Sequence, residues 1–320
     1  MPPKLAVRRR ARSAGARPAQ IVVLGDLMLD VVLTPARPLQ IGTDVPGRVA
    51  LRQGGSAATT ARWLARLGAR STLLCAIGRD NEGRGLVSTL ERDGVRVRAT
   101  RVAGARTGRI GVLIAPGGER SFVADRGAAD GLAPGDLRAT TFRVDLLHLP
   151  VYSLLGEPLG RAGRRAIELA RAGGAVVSLD LSSVAPLLAD GRRAALRLVG
   201  DAAPDVLFAT RVEAEALVGG RDLAGLGEVA AVVVIKHGRS GASVLTRSTS
   251  GILAFDVATT PLQAADTTGA GDAFDAGFLI AWLSAEPDVR NRPTTLRRAV
   301  LAAHRAAARQ LGSAPWELAL

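Results

Sequence analysis

The sequence predicts an α/β protein: a doubly wound, mostly parallel sheet flanked by helices, with a small β layer inserted into it. Three observations carry that expectation. Short β-type apolar runs alternate with Ala/Leu/Arg-rich runs of helical period along most of the 320 residues. The β-type runs are nearly continuous in their apolar character, as strands covered on both faces are. Two stretches, 31–53 and 97–127, interrupt the alternation with turn-punctuated strand segments that lack a helical period.

The elements follow in chain order. Residues 1–20, MPPKLAVRRRARSAGARPAQ, carry six basic side chains, no acidic one and no continuous apolar centre of the kind a secretory signal needs. They read as a disordered basic arm, whose removal takes the formal charge from +13 to +7. The α/β domain is expected over 21–320. It opens with the strand IVVLG at 21, followed by the turn-rich GDLMLD and the first inserted β segment. SAATTARWLARLG at 56 is a helix and STLLCAIG at 71 a strand; the second insertion then contains the turn signal PGGER. From 144 onward strands VDLLHLP, AVVSLDL, DVLFA and AVVVIKHG alternate with helices RRAIELARAG, RRAALRLV and EAEALVG. The insertions read as one flap over the carboxyl ends of the strands, where open α/β sheets bind their ligands.

Composition excludes several classes. No apolar run reaches the roughly 18 to 20 residues a membrane span needs, so no membrane association is expected. Arginines scattered over helix faces read as a solvated surface that attracts anionic substrates rather than as a nucleic-acid groove. A single cysteine, Cys75, sits in an apolar strand and precludes an intramolecular disulfide, which together with the missing secretion signal points to the cytoplasm. There is no G-x-x-x-x-G-K-[ST] loop and no G-x-G-x-x-G after the first strand, so P-loop and ordinary dinucleotide folds lose ground. His148, His237 and His304 are too dispersed for a metal cluster and read as structural.

The chemistry concentrates in DTTGAGDAFDAGF, 266–278. Gly269 and Gly271 let the backbone approach an anion, and the following residues begin a helix whose apolar face is Phe274, Phe278, Ala281 and Trp282. Free N–H groups at a helix start make an anion site suited to a phosphoryl group. Asp272, in the first turn, is placed to accept a proton from a substrate hydroxyl. A plain strand-turn-helix junction would also use Gly and Asp here. Three weaker features accompany it. GGSAATTARWLARLG, from Gly54, again sets paired glycines before a helix, for ligand approach or for packing. Asp26 and Asp30 in GDLMLD are suited to polyol hydroxyls, or are surface turn residues. Glu213 after DVLFA could bind Mg²⁺ through water, although a helix-start role is the simpler reading.

Together these segments resemble the ribokinase-like (PfkB) carbohydrate kinases over residues 21–316. DTTGAGDAFDAGF is similar to the carboxy-terminal motif of that family, and GGSAATTARWLARLG more loosely to its amino-terminal one. The resemblance implies an anion hole at Gly269, Ala270 and Gly271 and a catalytic base at Asp272. It implies sugar binding at Asp30, Gly54, Gly55, Thr59 and Arg126, and nucleotide contacts at Thr210, Lys236, Gly238, Gly241 and Thr268. Glu213 matches a magnesium-associated glutamate, and Asp266 with Thr268 match positions that hold K⁺ in potassium-activated members. The inserted β segments match a lid. Four departures concern the acceptor and nucleotide sites: Thr59 for Asn, Ser56 for the Lys of ribokinases, Thr210 for the Asn of N-x-x-E, and Ser182 and Val184 for an Asn/Arg pair.

The expectation is therefore an ATP- and Mg²⁺-dependent kinase acting on a hydroxymethyl group of a sugar. A nucleoside, pseudouridine included, is the alternative acceptor, although Phe122 is the main large apolar side chain the lid offers a base. A non-catalytic sugar- or nucleic-acid-binding regulator is the reading from another class. Retention of Asp272 weighs against it, because sugar binding alone needs no base beside an anion site. Pairing of two copies through the lid is expected from its open strand edges.

Overall fold

The computed structural model describes residues 17–115, 120–248, 251–262, 264 and 266–313. Most of the basic arm and most of the PGGER turn lie outside these residues. The end of the arm belongs to the fold: Arg17 pairs with Asp145 at 2.6 Å, and Gln20 opens the first strand.

The strands are β1 (Gln20–Leu24), β2 (Met28–Pro35), β3 (Gly47–Gly54), β4 (Arg70–Ile77), β5 (Arg96–Arg101), β6 (Arg109–Ile114) and β7 (Arg120–Asp125). They continue with β8 (Leu146–Pro150), β9 (Val176–Asp180), β10 (Val206–Thr210), β11 (Val232–Lys236), β12 (Ala242–Ser248) and β13 (Gly251–Val257). The helices are α1 (Ser56–Arg66), α2 (Asn81–Arg92), α3 (Leu159–Ala172), α4 (Val184–Leu187) and α5 (Arg192–Ala202). After these come α6 (Arg211–Val218), α7 (Leu226–Val229), α8 (Ala270–Leu283) and α9 (Pro293–Leu311).

A nine-stranded sheet runs in the order β13-β12-β11-β10-β9-β8-β1-β4-β5. Neighbours from β11 to β5 are parallel, while β12 and β13 are added antiparallel at one edge. Alternate side chains of each strand enter opposite cores, which explains the unbroken apolar runs. Val23, Cys75, Phe208 and Val234 pack under α1, α8 and α9. Val22, Leu74, Leu207 and Val233 pack under α3, α5 and α6. Burial of each large apolar side chain contributes about 1.5–3 kcal/mol. Among the described residues no helix is long and apolar enough to cross a membrane.

The second sheet has four strands in the order β3-β2-β6-β7. It is the predicted lid, with one correction. β5, inside the stretch 97–127 read as lid, pairs parallel with β4 at the edge of the large sheet. Its alternating sequence, RVRATR, reflects an edge strand covered on one face, and such a strand has the same period as a lid strand. In the lid, Asp30, Val32, Ala50, Val112 and Phe122 share one face by register. Val32, Ala50 and Val112 form its small core.

Candidate active site

One cavity of about 1320 Å³ opens between the lid and the carboxyl ends of β1, β9, β10 and β11. Every site residue anticipated above lines it except Asp266, which lines a smaller adjoining pocket. The strand order reverses around β1, so the cavity stands where an open α/β sheet receives its ligand.

The turn into α8 occupies its floor. Gly269 has φ 74°, a left-handed conformation that a side chain would strain, and it caps a helix that begins at Ala270. A Cβ on Gly269 would lie 3.1 Å from the Thr59 methyl and 3.3 Å from Nε2 of Gln310, so α1 and α9 both press on the turn. The first amides of α8 therefore border the cavity with the positive end of the helix behind them.

Asp272 lines the cavity in the first turn of α8. Its Oδ1 accepts a hydrogen bond from the Ser56 hydroxyl at 2.6 Å. Burial raises its pKa to about 7; the Ser56 bond and Lys236 pull it down, while Asp180 and Asp26 push it up. A carboxyl tuned near neutrality is suited to take a proton in one step and release it in the next.

Behind the turn lies a buried charged cluster. Lys236, at the end of β11, places Nζ 2.9 Å from Asp180 Oδ2 and 3.2 Å from Asp275 Oδ1. An ideal Cβ at Gly271 would stand 3.5 Å from that Nζ, so the ammonium adjoins the turn. Burial would discharge the lysine, but Asp180, Asp275 and Glu213 overcome it and hold the ammonium charged. Burial alone would raise Asp180. Lys236, hydrogen bonds from Asp275 and the Ser182 amide hold it at about 2 instead. Asp275 goes the other way, raised well above its usual value by burial and by Asp180, and so donates to its neighbour. A buried cation with one ionised and one protonated carboxyl avoids stranding a charge.

On the side of β1 and β2 the cavity is lined by Asp26 and Asp30. A Cβ at Gly54 would fall 1.8 Å from Asp30 Oδ1, and one at Gly55 would fall 2.5 Å from the Asp26 carbonyl. The paired glycines thus give way to these two aspartates rather than directly to a ligand. Asp26 accepts from the Ala57 amide at 3.1 Å, fixing it at the start of α1. Asp30 is buried, and its Oδ1 has no hydrogen-bond partner among the described residues. Burial and Asp26 raise it to about 7 against the pull of Arg52. Arg126 donates Nε to Asp130 at 2.6 Å, lies 3.8 Å from Asp26 and stacks over Tyr152 with its carbon 5.4 Å from the ring centre. Its NH2 is buried without a partner among the described residues. Two sequence-predicted residues have their polar groups engaged elsewhere. The Thr59 hydroxyl donates to Gly55 O at 3.0 Å, and Thr210 forms a capping box with Glu213.

Glu213 Oε2 accepts from the Thr210 amide at 2.7 Å, and among the described residues Oε1 accepts no hydrogen bond. No cluster of three or more metal-ligating side chains occurs among the described residues. The site thus fits a divalent cation held through water and substrate phosphates better than an all-protein cage. At Asp266, the position matched to a monovalent cation, the carboxylate accepts from Arg52 at 2.8 Å.

Several residues here escaped the sequence reading: Ser56 as partner of Asp272, Asp180 and Asp275 as partners of Lys236, and the arginines Arg52 and Arg120. Asp275 carried a signal, an acidic residue on a buried turn of an apolar helix three positions after Asp272. His304, expected to be structural, borders the cavity beside Phe274, with ring centres 5.5 Å apart.

Comparison with known proteins gives the family and the fold. The pfkB family carbohydrate kinase profile matches residues 18–314. Fructokinase-2 of Solanum habrochaites is 30% identical over 272 residues, covering 81% of this chain and 80% of the relative. The ATP-dependent ribose-1-phosphate kinase of Halopiger xanaduensis is 33% identical over 236 residues, covering 72% and 73%. An E. coli protein crystallised with ATP and Mg²⁺ superposes with a TM-score of 0.76 at 21% identity, over 93% of this chain and 94% of that one.

Proposed function

The chain belongs to the pfkB family of carbohydrate kinases, and from that premise we propose that it transfers the γ-phosphoryl group of ATP to a hydroxymethyl group of a neutral sugar. The observation that carries the reading is the pairing of the α8 amides with Asp272 on the floor of one cavity.

In this reading the acceptor hydroxyl donates to Asp272, which takes its proton as the oxygen attacks phosphorus. The Ser56 hydroxyl keeps the carboxylate oriented. The amides of the Gly269–Gly271 turn receive the equatorial oxygens of the transferring group, where charge accumulates in a loose transition state. Lys236 adds a positive charge behind that turn. Glu213 would hold Mg²⁺ through water; bound there, the ion neutralises charge on the ATP phosphates. Phe274, His304, Ala307 and Leu311 line the cavity beyond the turn and supply an apolar wall for the nucleotide base.

Charge favours a neutral acceptor. Asp26, Asp30 and Asp130 face the sugar end beside Arg126, while Arg52, which acts on Asp30, is tied to Asp266, so a carboxylate or phosphate on the acceptor meets mostly negative charge. The carboxylates instead suit polyol hydroxyls. Arg126 covers the Tyr152 ring that could otherwise stack a nucleoside base. ADP release should be screened with fructose, ribose, ribose-1-phosphate, adenosine and pseudouridine. Fastest turnover on a neutral sugar is expected. A preference for the sugar phosphate or a nucleoside by tenfold or more in kcat/KM would overturn the acceptor assignment.

Two copies are proposed to pair through the outer lid face, where Leu33, Val49 and Val123 stand on one side by register and are exposed. Light scattering at the mass of one chain across micromolar concentrations would contradict this.

A further inference from the structure

We propose that the guanidinium groups of Arg52 and Arg120 take the place of a monovalent cation at Asp266, and that Arg120 is a positioning residue for the phosphoryl-binding turn. The second part rests on the kinase reading given above.

The two arginines come from opposite edges of the lid. Arg52 lies on β3 and Arg120 on β7, the outer strands of the four-stranded sheet. They converge on one short segment of the core. Asp266 Oδ2 accepts from Arg52 NH1 at 2.8 Å, and Oδ1 accepts from the Thr268 amide at 2.9 Å with Arg120 NH1 3.9 Å away. Arg120 donates NH1 to the Thr268 hydroxyl and NH2 to the Thr267 hydroxyl, each at 2.7 Å. The carboxylate and hydroxyl that a cation would need are therefore engaged by fixed positive charge. A further cation there would stand beside two guanidinium groups with one carboxylate to share among them.

The same contacts reach the turn. Thr267 and Thr268 lead directly into Gly269, and the Ala270 amide donates to the Thr267 carbonyl at 3.3 Å. From the opposite side Gln310 of α9 donates to the Thr268 carbonyl at 2.9 Å. The segment is thus clamped between lid and core, and its geometry depends on the lid contact. Arginine suits this position because its rigid planar fork holds the two hydroxyls through two separate nitrogens, where a lysine would have to reach both from a single nitrogen.

The test compares KCl with choline chloride at equal ionic strength, by thermal melting and by ADP release, in wild type, Arg52→Ala, Arg120→Ala and Arg120→Lys. Wild type should melt and turn over alike in both salts. Arg120→Ala should lower kcat by about 10- to 100-fold, with sugar KM and ADP affinity moved less than about threefold, as misplacement of reacting groups predicts. Arg120→Lys should recover only part of that loss. Arg52→Ala, with Asp266 released, should gain a preference for K⁺ over choline. Stabilisation or stimulation of wild type by K⁺ beyond about fivefold in rate would overturn the substitution. Unchanged kcat in Arg120→Ala, or full recovery by lysine, would overturn the positioning role. Wild type that releases no ADP with any acceptor fails the kinase reading instead, and the melts then decide the cation claim alone.

Discussion

Asp272 sits where its charged form is disfavoured, a cost in stability that its function explains. Burial raises its pKa to about 7 from the ordinary carboxylate range. A raised carboxyl stabilises the fold at low pH and loses that contribution as pH climbs toward the folded value. Asp272→Asn, which does not titrate, should therefore gain thermal stability over wild type as pH rises from 5 to 8. Melting curves of the two apo proteins would show it, and a constant difference across that range would count against the shifted carboxyl. In the proposed reaction Asp272 acts as base only when ionised, so kcat/KM should fall below about pH 7. The groups facing it are Ser56 on α1, Asp180 on β9, Lys236 on β11, Asp26 after β1, Asp30 on β2 and Asp275 on its own helix. Ser56→Ala removes the hydrogen bond that lowers Asp272, and the acid limb of the pH-rate profile should move to higher pH. An unmoved limb would remove Ser56 from the mechanism. Asp272 and its glycines were legible because they are contiguous and one local geometry explains them all. Ser56 was not, because its contact with Asp272 crosses 216 positions of sequence.

At the scale of elements, two junctions set the site: Gly54-Gly55 into α1 and Gly269 into α8. The first tests readily. Gly54→Ala would drive a Cβ to within 1.8 Å of Asp30 Oδ1, so that carboxylate must move. Sugar KM should rise about tenfold or more while ADP affinity stays, the pattern of a lost ground-state contact. Weakened ADP binding with normal sugar KM would place Asp30 elsewhere in the reaction. Behind α8, Lys236→Met would leave Asp180 and Asp275 without their cation, at a cost of about 3–5 kcal/mol as for other broken buried pairs. Urea unfolding measures that loss, and a near-neutral result would mean that the cluster adds little to the fold. The lid was legible as a departure from helical period, but its boundary was not. β5 shares the alternation of a lid strand, and only its parallel pairing with β4 assigns it to the large sheet. The GGSAATT glycines were equally divided between packing and ligand approach, and the structure shows them making room for Asp26 and Asp30.

The whole molecule was the most legible scale. A strand buried on both faces has no choice but to be apolar throughout, so the order of strands and helices is written into the chain. What the sequence left open is which distant carboxylates and cations meet. Asp180 and Lys236 stand 56 positions apart, and Arg52 and Asp266 stand 214 apart. The central claim joins the α8 amides and Asp272 in one phosphoryl transfer. ADP release by wild type and Asp272→Asn, at saturating ATP and with the best sugar, tests it most directly. The account predicts a kcat lower by about 10² to 10⁴ in the variant, with ADP affinity unchanged. Comparable turnover in the two proteins would contradict it.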